Sequence, residues 1–285
     1  MINNYIFTIT TGRSGQMTLY DILLNYSYNC LTEFESPTLY KNIFSGKMGF
    51  LEKKFRRKFI DTDELLGRGK TLRAYEKNDT QFINNIVVKK LISINKKLKK
   101  TDSNIYFDVS KHFVRSLYIG FDNLLENYSV VLLVRDPILN MRSFLNRKKN
   151  FFLDNSSPEL NSNLLVMNTS GWSYGEYYLW SWVETILRFK KISSFRKIRN
   201  SLIIKTEDLE CSKRMAKVLG QLEVPHKEID NIKILNTNIS QGHGNTKINS
   251  HDYHILKKFV SRLPSEKINA LGSLARMLFV DERNI

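Results

Sequence analysis

Tyr5-Ile-Phe-Thr-Ile-Thr-Thr-Gly-Arg-Ser-Gly-Gln-Met-Thr-Leu-Tyr-Asp-Ile-Leu-Leu24 is the stretch that decides the fold. Tyr5, Ile6, Phe7 and Ile9, interleaved with threonines, favour a strand, and turn residues close the run. Gly12 and Gly15 bracket Arg13 and Ser14, after which Leu19, Ile22, Leu23 and Tyr26 recur at the spacing of one helix face. A strand that passes through a Gly-bracketed loop into a helix presents unpaired backbone N–H groups and the positive end of a helix dipole to one point. That point suits a phosphate or a sulfate. Arg13 adds a cation beside it, and Ser14 and Thr18 add hydroxyl donors.

Outward from this stretch the chain alternates between strands and helices. Tyr28 to Phe34 reads as a short strand that reaches Glu33-Phe-Glu35, and Asn104 to Val109 as another that runs into Ser110-Lys111-His112. Ser129 to Val134 is the strongest strand signal, an unbroken apolar run of the kind buried on both faces of a parallel sheet. It ends in Arg135-Asp136-Pro137, where Asp136 suits an N-cap and Pro137 a first helical residue, opening a helix to about Lys149. Tyr174 to Arg199 reads as one long helix whose Tyr177, Tyr178, Trp180 and Trp182 suit a core, and Ser201 to Lys205 as a further strand. The Lys-rich run 86–100 reads as a solvated helix with one apolar face, and the chain closes with a polar loop, Gln241 to Lys247, and two helices from His251 to Phe279. This pattern predicts an α/β fold: one domain over 1–285 with a central parallel β-sheet flanked by helices.

The bulk composition, 42% hydrophobic and 25% charged over 285 residues, is that of an ordinary globular protein, but the net charge of +16 is not. Such a charge points to nucleic acid, an anionic membrane surface or an anionic substrate, or to lysine spread over the surface. Two cysteines, Cys30 and Cys211, suit a reducing compartment. No apolar run approaches the ~18–20 residues that span a bilayer, so no transmembrane segment is expected. With the first strand starting so close to Met1, no signal peptide is expected either, and the location implied is cytoplasmic.

Two strand ends now carry a basic residue beside a helix start, Arg13 and Arg135, and in an open parallel sheet both lie at the carboxyl edge where ligands bind. Ser143 follows Arg135 by about two helical turns, roughly 9 Å along the axis. Here the chain resembles the sulfotransferases that use 3′-phosphoadenosine-5′-phosphosulfate (PAPS). Thr11-Gly-Arg-Ser-Gly-Gln-Met-Thr18 is similar to their 5′-phosphosulfate loop, and Val130-Val-Leu-Leu-Val-Arg-Asp-Pro-Ile-Leu-Asn-Met-Arg-Ser143 to their 3′-phosphate motif. Ser201-Leu-Ile-Ile-Lys-Thr-Glu-Asp-Leu209 is similar to a later strand of the family, with Thr206 in place of Tyr, and Gly244-Asn-Thr-Lys247 is a looser echo of a Gly-Asn loop. Gln16 and Met17 depart from the usual Thr-Thr pair.

The resemblance implies a P-loop NTPase-like fold and transfer of a sulfuryl group from PAPS to a hydroxyl of a glycan, lipid-linked sugar or small molecule, with no metal required and with 35–100 and 150–175 as insertions on the acceptor side. Arg13 would act on the bridging and sulfuryl oxygens, and Gly12, Ser14, Gly15, Gln16, Met17 and Thr18 would hold the 5′-phosphate. Arg135 and Ser143 would hold the 3′-phosphate, with Asn245 and Lys247 as further nucleotide contacts. Several branches of the family place a general base about twenty residues after the loop's basic residue, which selects Glu33, with Glu35 and His112 as alternatives. Rival readings are a PAPS-fold protein without activity and a basic nucleic-acid-binding protein, though the chain carries no recognised nucleic-acid module. Gly67-Arg-Gly-Lys-Thr71 ends like a phosphate-binding loop but follows no strand, and His251 and His254 suggest surface histidines rather than a metal site.

Overall fold

The computed structural model describes residues 4–35, 43–59, 63–147, 157–229, 232 and 247–279. Five strands, β1 (Asn4–Ile9), β2 (Cys30–Phe34), β3 (Ile105–Val109), β4 (Tyr128–Val134) and β5 (Ile198–Lys205), form a sheet in the order β2-β3-β1-β4-β5. Every neighbouring pair is parallel, with Ile6 opposite Phe107 on one side and Ser129 on the other. The chain leaves β1 towards β2 and leaves β4 towards β5, so the connections diverge between β1 and β4. Open parallel sheets bind ligands at the carboxyl end of such a divergence.

Strand periodicity decides what each face carries. Tyr5, Phe7 and Ile9 of β1 join one hydrophobic cluster, and Ile6 joins a second. Helices α4 (Thr80–Thr101), α5 (Tyr118–Leu124) and α7 (Tyr174–Ser193) cover the first face, and α1 (Gln16–Tyr26) and α8 (Ser212–Gln221) the second. The run 86–100 lies within α4, whose Ile83, Ile86, Val87, Ile94 and Leu98 are buried while Ile92 stands in solvent. Helix α4 thus lies on the crossover from β2 to β3, after α2 (Gly46–Phe59) and α3 (Lys70–Glu76). The remaining helices are α6 (Pro137–Leu145), α9 (Ser250–Val260) and α10 (Ser265–Ala270). Among the described residues, no helix is long and apolar enough to cross a membrane.

Several element ends differ from the sequence expectation. The helix from Tyr174 stops at Ser193, and the strand after it starts at Ile198 rather than Ser201. Ser193 and Ser194 end the helical run, and Tyr128 pairs with Ile198, which draws the following residues into the sheet. The expected helix to Lys149 ends at Leu145, with residues 148–150 outside the described set. A π-helical turn at Phe113–Leu117, between β3 and α5, has no counterpart in the periodicity. In α7, Tyr178, Trp180 and Trp182 are buried, as expected for a core stripe.

One buried ion pair fastens this layer. Arg188 of α7 donates from Nε to Glu184 Oε1 at 2.6 Å, and its Nη1 reaches the carbonyls of Val114 (3.2 Å) and Arg115 (2.8 Å) in the π-helical turn. Nη2 donates to Asn163 Oδ1 at 3.1 Å, while Glu184 accepts the N–H groups of Leu164 and Leu165. Both side chains are withdrawn from water, so removing one strands the other as an unpaired charge. Arg188→Ala should therefore cost about 3–5 kcal/mol and lower the melting temperature on the order of 10 °C. Calorimetry checks this, with Glu184→Gln/Arg188→Met expected to recover part of the loss.

Candidate functional site

The loop after β1 is folded by residues that tolerate left-handed backbone and by neutral clamps. Gly12, Arg13 and Gly15 have φ of 91°, 60° and 85°. Such values suit glycine and are strained for arginine. Asn140 of α6, fully buried, donates from Nδ2 to the Gly12 carbonyl at 2.9 Å and to Ser14 Oγ at 3.2 Å. Thr206, just after β5, donates to the carbonyls of Ser14 (3.1 Å) and Val134 (3.3 Å). A Cβ on Gly15 would meet Leu209 Cδ1 at 2.6 Å, so the loop also packs tightly on this turn. Sequence reasoning missed Asn140, and it saw Thr206 only as a departure from a motif.

Helix α1 opens directly from this loop. Gly15 is its N-cap, without a side-chain capping bond, and its first turn carries no acidic residue. Its leading N–H groups therefore remain available to an anion. Gln16, which is 7% exposed, turns an Nε2 without a hydrogen-bond partner into buried space, and its Oε1 lies 3.6 Å from where a Gly12 Cβ would stand. Met17 and Thr18 are half-buried in the same turn.

The cations converge on this loop. Arg13 Nε donates to Ser143 Oγ of α6 at 3.0 Å, and Arg135 Nη1 donates to the Arg13 carbonyl at 3.3 Å. The structure thus brings together Arg13, Arg135 and Ser143, and pairs Ser143 with Arg13 rather than with Arg135. Burial, then the neighbouring charges of Arg147 and Arg135, pull the Arg13 guanidinium down to about 10. Burial also lowers Arg135, against the opposing pull of Asp136 and Glu207. Lys111, after β3, has its Cδ 3.5 Å from where a Gly12 Cβ would stand. Burial and the charge of Arg115 bring Lys111 down to about 8, partly countered by Glu35, whose Oε1 is 3.7 Å from the ammonium. Asp136 is occupied as the N-cap of α6, accepting from the Ile138 and Leu139 N–H groups at 2.9 Å each. Positive charge therefore exceeds its local carboxylates at the carboxyl end of β1, β3 and β4.

The three base candidates fall in different surroundings. Glu33 lies within β2, opposite Asp108, and accepts from Lys97 and from the Tyr106 hydroxyl at 3.0 Å. Burial, Asp108 and this bond raise the Tyr106 hydroxyl well above its ordinary value, so it stays a donor to Glu33. Glu35 stands past the strand end with φ of 42°, on Lys111. His112 is buried, with its Nδ1 2.8 Å from Arg115 Nη1. A guanidinium can only donate, so Nδ1 is the acceptor and Nε2 carries the hydrogen. Burial and then Arg115 depress the imidazole well below its ordinary range, which keeps it neutral.

Other candidates lie elsewhere. Asn245 is outside the described residues, and Lys247 is exposed ahead of α9. The Gly67–Thr71 segment follows a 3-10 turn, Asp63–Leu66, and its Thr71 hydroxyl donates back to the Glu64 carbonyl at 2.8 Å. His251 and His254 are exposed, and among the described residues no group of three His, Cys, Asp or Glu side chains is placed to hold a metal ion. Comparison with protein-family models, with curated proteins and with solved structures gave no match to this chain.

The Lys111 shift sets a pH dependence. An anion at the loop favours the ammonium form, so binding is strongest below about 8 and weakens as pH rises through that value. Calorimetric titration with sulfate across this range should show falling affinity on the alkaline side, and Lys111→Met should weaken binding and flatten the profile.

Proposed function

We propose that this chain is a PAPS-dependent sulfotransferase with a P-loop NTPase-like fold. The observation that carries the reading is the 3.0 Å contact between Arg13 and Ser143, which joins the two motifs that resemble the family's 5′- and 3′-phosphate sites. Both motifs flank the divergence between β1 and β4, and their cations exceed the local carboxylates. Arg13 and Arg135 rest on neutral oxygens, a hydroxyl and a carbonyl. A doubly phosphorylated adenosine offers charged oxygens in their place, and charge-assisted bonds are the stronger kind.

In this reading the acceptor hydroxyl oxygen attacks sulfur, the bond from sulfur to the 5′-phosphate oxygen breaks, and adenosine 3′,5′-bisphosphate leaves. Charge grows on the leaving oxygen, where Arg13 and the first amides of α1 stabilise it. Lys111 stands beside the same loop as a second cation. The acceptor proton goes to Glu35: it lies past the strand end on Lys111, whereas Glu33 is occupied by Lys97 and Tyr106. His112 is a poor rival, because its basic nitrogen already accepts from Arg115. The acceptor is a hydroxyl compound, a glycan or a small molecule.

Calorimetry with adenosine 3′,5′-bisphosphate tests the binding claim. Arg135→Ala should weaken binding by about tenfold or more, since a lost charge-assisted bond is worth about 1.5–3 kcal/mol. Absence of binding, or an unaffected variant, would remove the assignment. For turnover with labelled PAPS, Glu35→Gln should spare nucleotide binding and lower the rate by about 10²-fold or more, the usual contribution of a general base. Glu33→Gln should stay within a few-fold of the parent, and the reverse pattern would return the role to Glu33.

A further inference from the structure

Helix α2 carries a stripe of apolar side chains that are each more than half exposed. Met48, Leu51, Phe55 and Phe59 follow one another at steps of three and four residues, one face of a helix, and are 58%, 57%, 58% and 62% exposed. Phe50, 59% exposed, lies under the Lys54 ammonium, 5.0 Å from the ring centroid, and the Phe55 and Phe59 rings are 4.9 Å apart. Other exposed large apolar residues, such as Leu24 and Leu124, lie singly on separate elements, and Val88 and Ile92 share one turn of α4. Isolated residues of that kind are ordinary on a protein surface, whereas a contiguous stripe marks a place of contact.

Charge selects the partner. The α2 sequence holds Lys47, Lys53, Lys54, Arg56, Arg57 and Lys58 against Glu52 alone. Glu52 is engaged at the helix entrance, where its carboxylate accepts the N–H groups of Ile43 and Phe44 at 2.9 to 3.0 Å. A second copy of the chain would bring two strongly basic helices together, which like-charge repulsion opposes. Nucleic acid matches the charge but offers no hydrocarbon to the Met48 and Leu51 side chains. An anionic bilayer supplies both, acyl chains for the stripe and headgroups for the cations.

We propose that α2 docks the protein on anionic membrane surfaces, lying in the plane of the interface with Met48, Leu51, Phe55 and Phe59 among the acyl chains. The inference is independent of the sulfuryl-transfer reading, and its test does not involve a nucleotide.

Co-sedimentation with vesicles of phosphatidylcholine, with and without roughly one-third phosphatidylglycerol, reads the effect directly. The full chain should bind the anionic vesicles at physiological salt and the neutral ones far less. Phe55→Asp/Phe59→Asp should lower the anionic-vesicle affinity at least roughly tenfold, because it removes apolar contact and adds repulsion. Its melting temperature should hold, since both side chains are exposed. A Leu51→Trp variant should show a blue-shifted emission on the anionic vesicles as the indole leaves water. Absence of vesicle binding overturns the proposal, as does full binding by the double variant or an unshifted indole. A dimer in sedimentation velocity that the double variant abolishes, without vesicle binding, overturns it in favour of a second copy.

Discussion

Burial of several like charges at the carboxyl end of the sheet is the constraint to which the surrounding structure answers. Arg13, Lys111 and Arg135 all lose proton affinity there, first through burial, and other cations depress Arg13 and Lys111 further. Elsewhere the fold treats its arginines differently. Arg188 is matched by Glu184, Arg142 by Asp252 and Arg262 by Glu176. The last two pairs tie α6 to α9 and the end of α9 to α7, whereas Arg13 and Arg135 face a hydroxyl and a carbonyl. The clamps that hold the loop are neutral as well: Asn140, Thr206, and the Trp182 indole, which donates to the Arg135 carbonyl at 2.9 Å. A carboxylate in any of these places would give the same rigidity but would neutralise the field an anion needs.

Much of this arrangement could be read from the chain. The β-favouring residues of β1, the apolar run of β4 and the Asp136-Pro137 helix start are local signals, and local signals survive without tertiary information. The carboxyl-edge position of Arg13 and Arg135 follows from alternating strands and helices alone. The strand order and the parallel register needed coordinates, because pairing is decided by packing between distant segments.

What stayed hidden has a common cause. Asn140 and Thr206 act on backbone atoms 128 and 192 residues away, and nothing in their own neighbourhood marks them. The choice between Glu33 and Glu35 turns on Lys97, contributed by α4, and on Lys111, contributed by the turn after β3. The π-helical turn at Phe113–Leu117 has its carbonyls answered by Arg188, far along the chain. The stripe on α2 is present in the sequence, but a helical period does not say whether its apolar side is covered.

The joint between β1 and β4 has a property that the apolar layers beneath it lack. Hydrophobic packing resists the entry of water, but a seam closed by Arg13 on Ser143 and Arg135 on the Arg13 carbonyl can exchange each bond for one to solvent at little net loss. A guest molecule can therefore displace these two contacts while the ladder between β1 and β4 and the clamps of Asn140 and Thr206 stay in place.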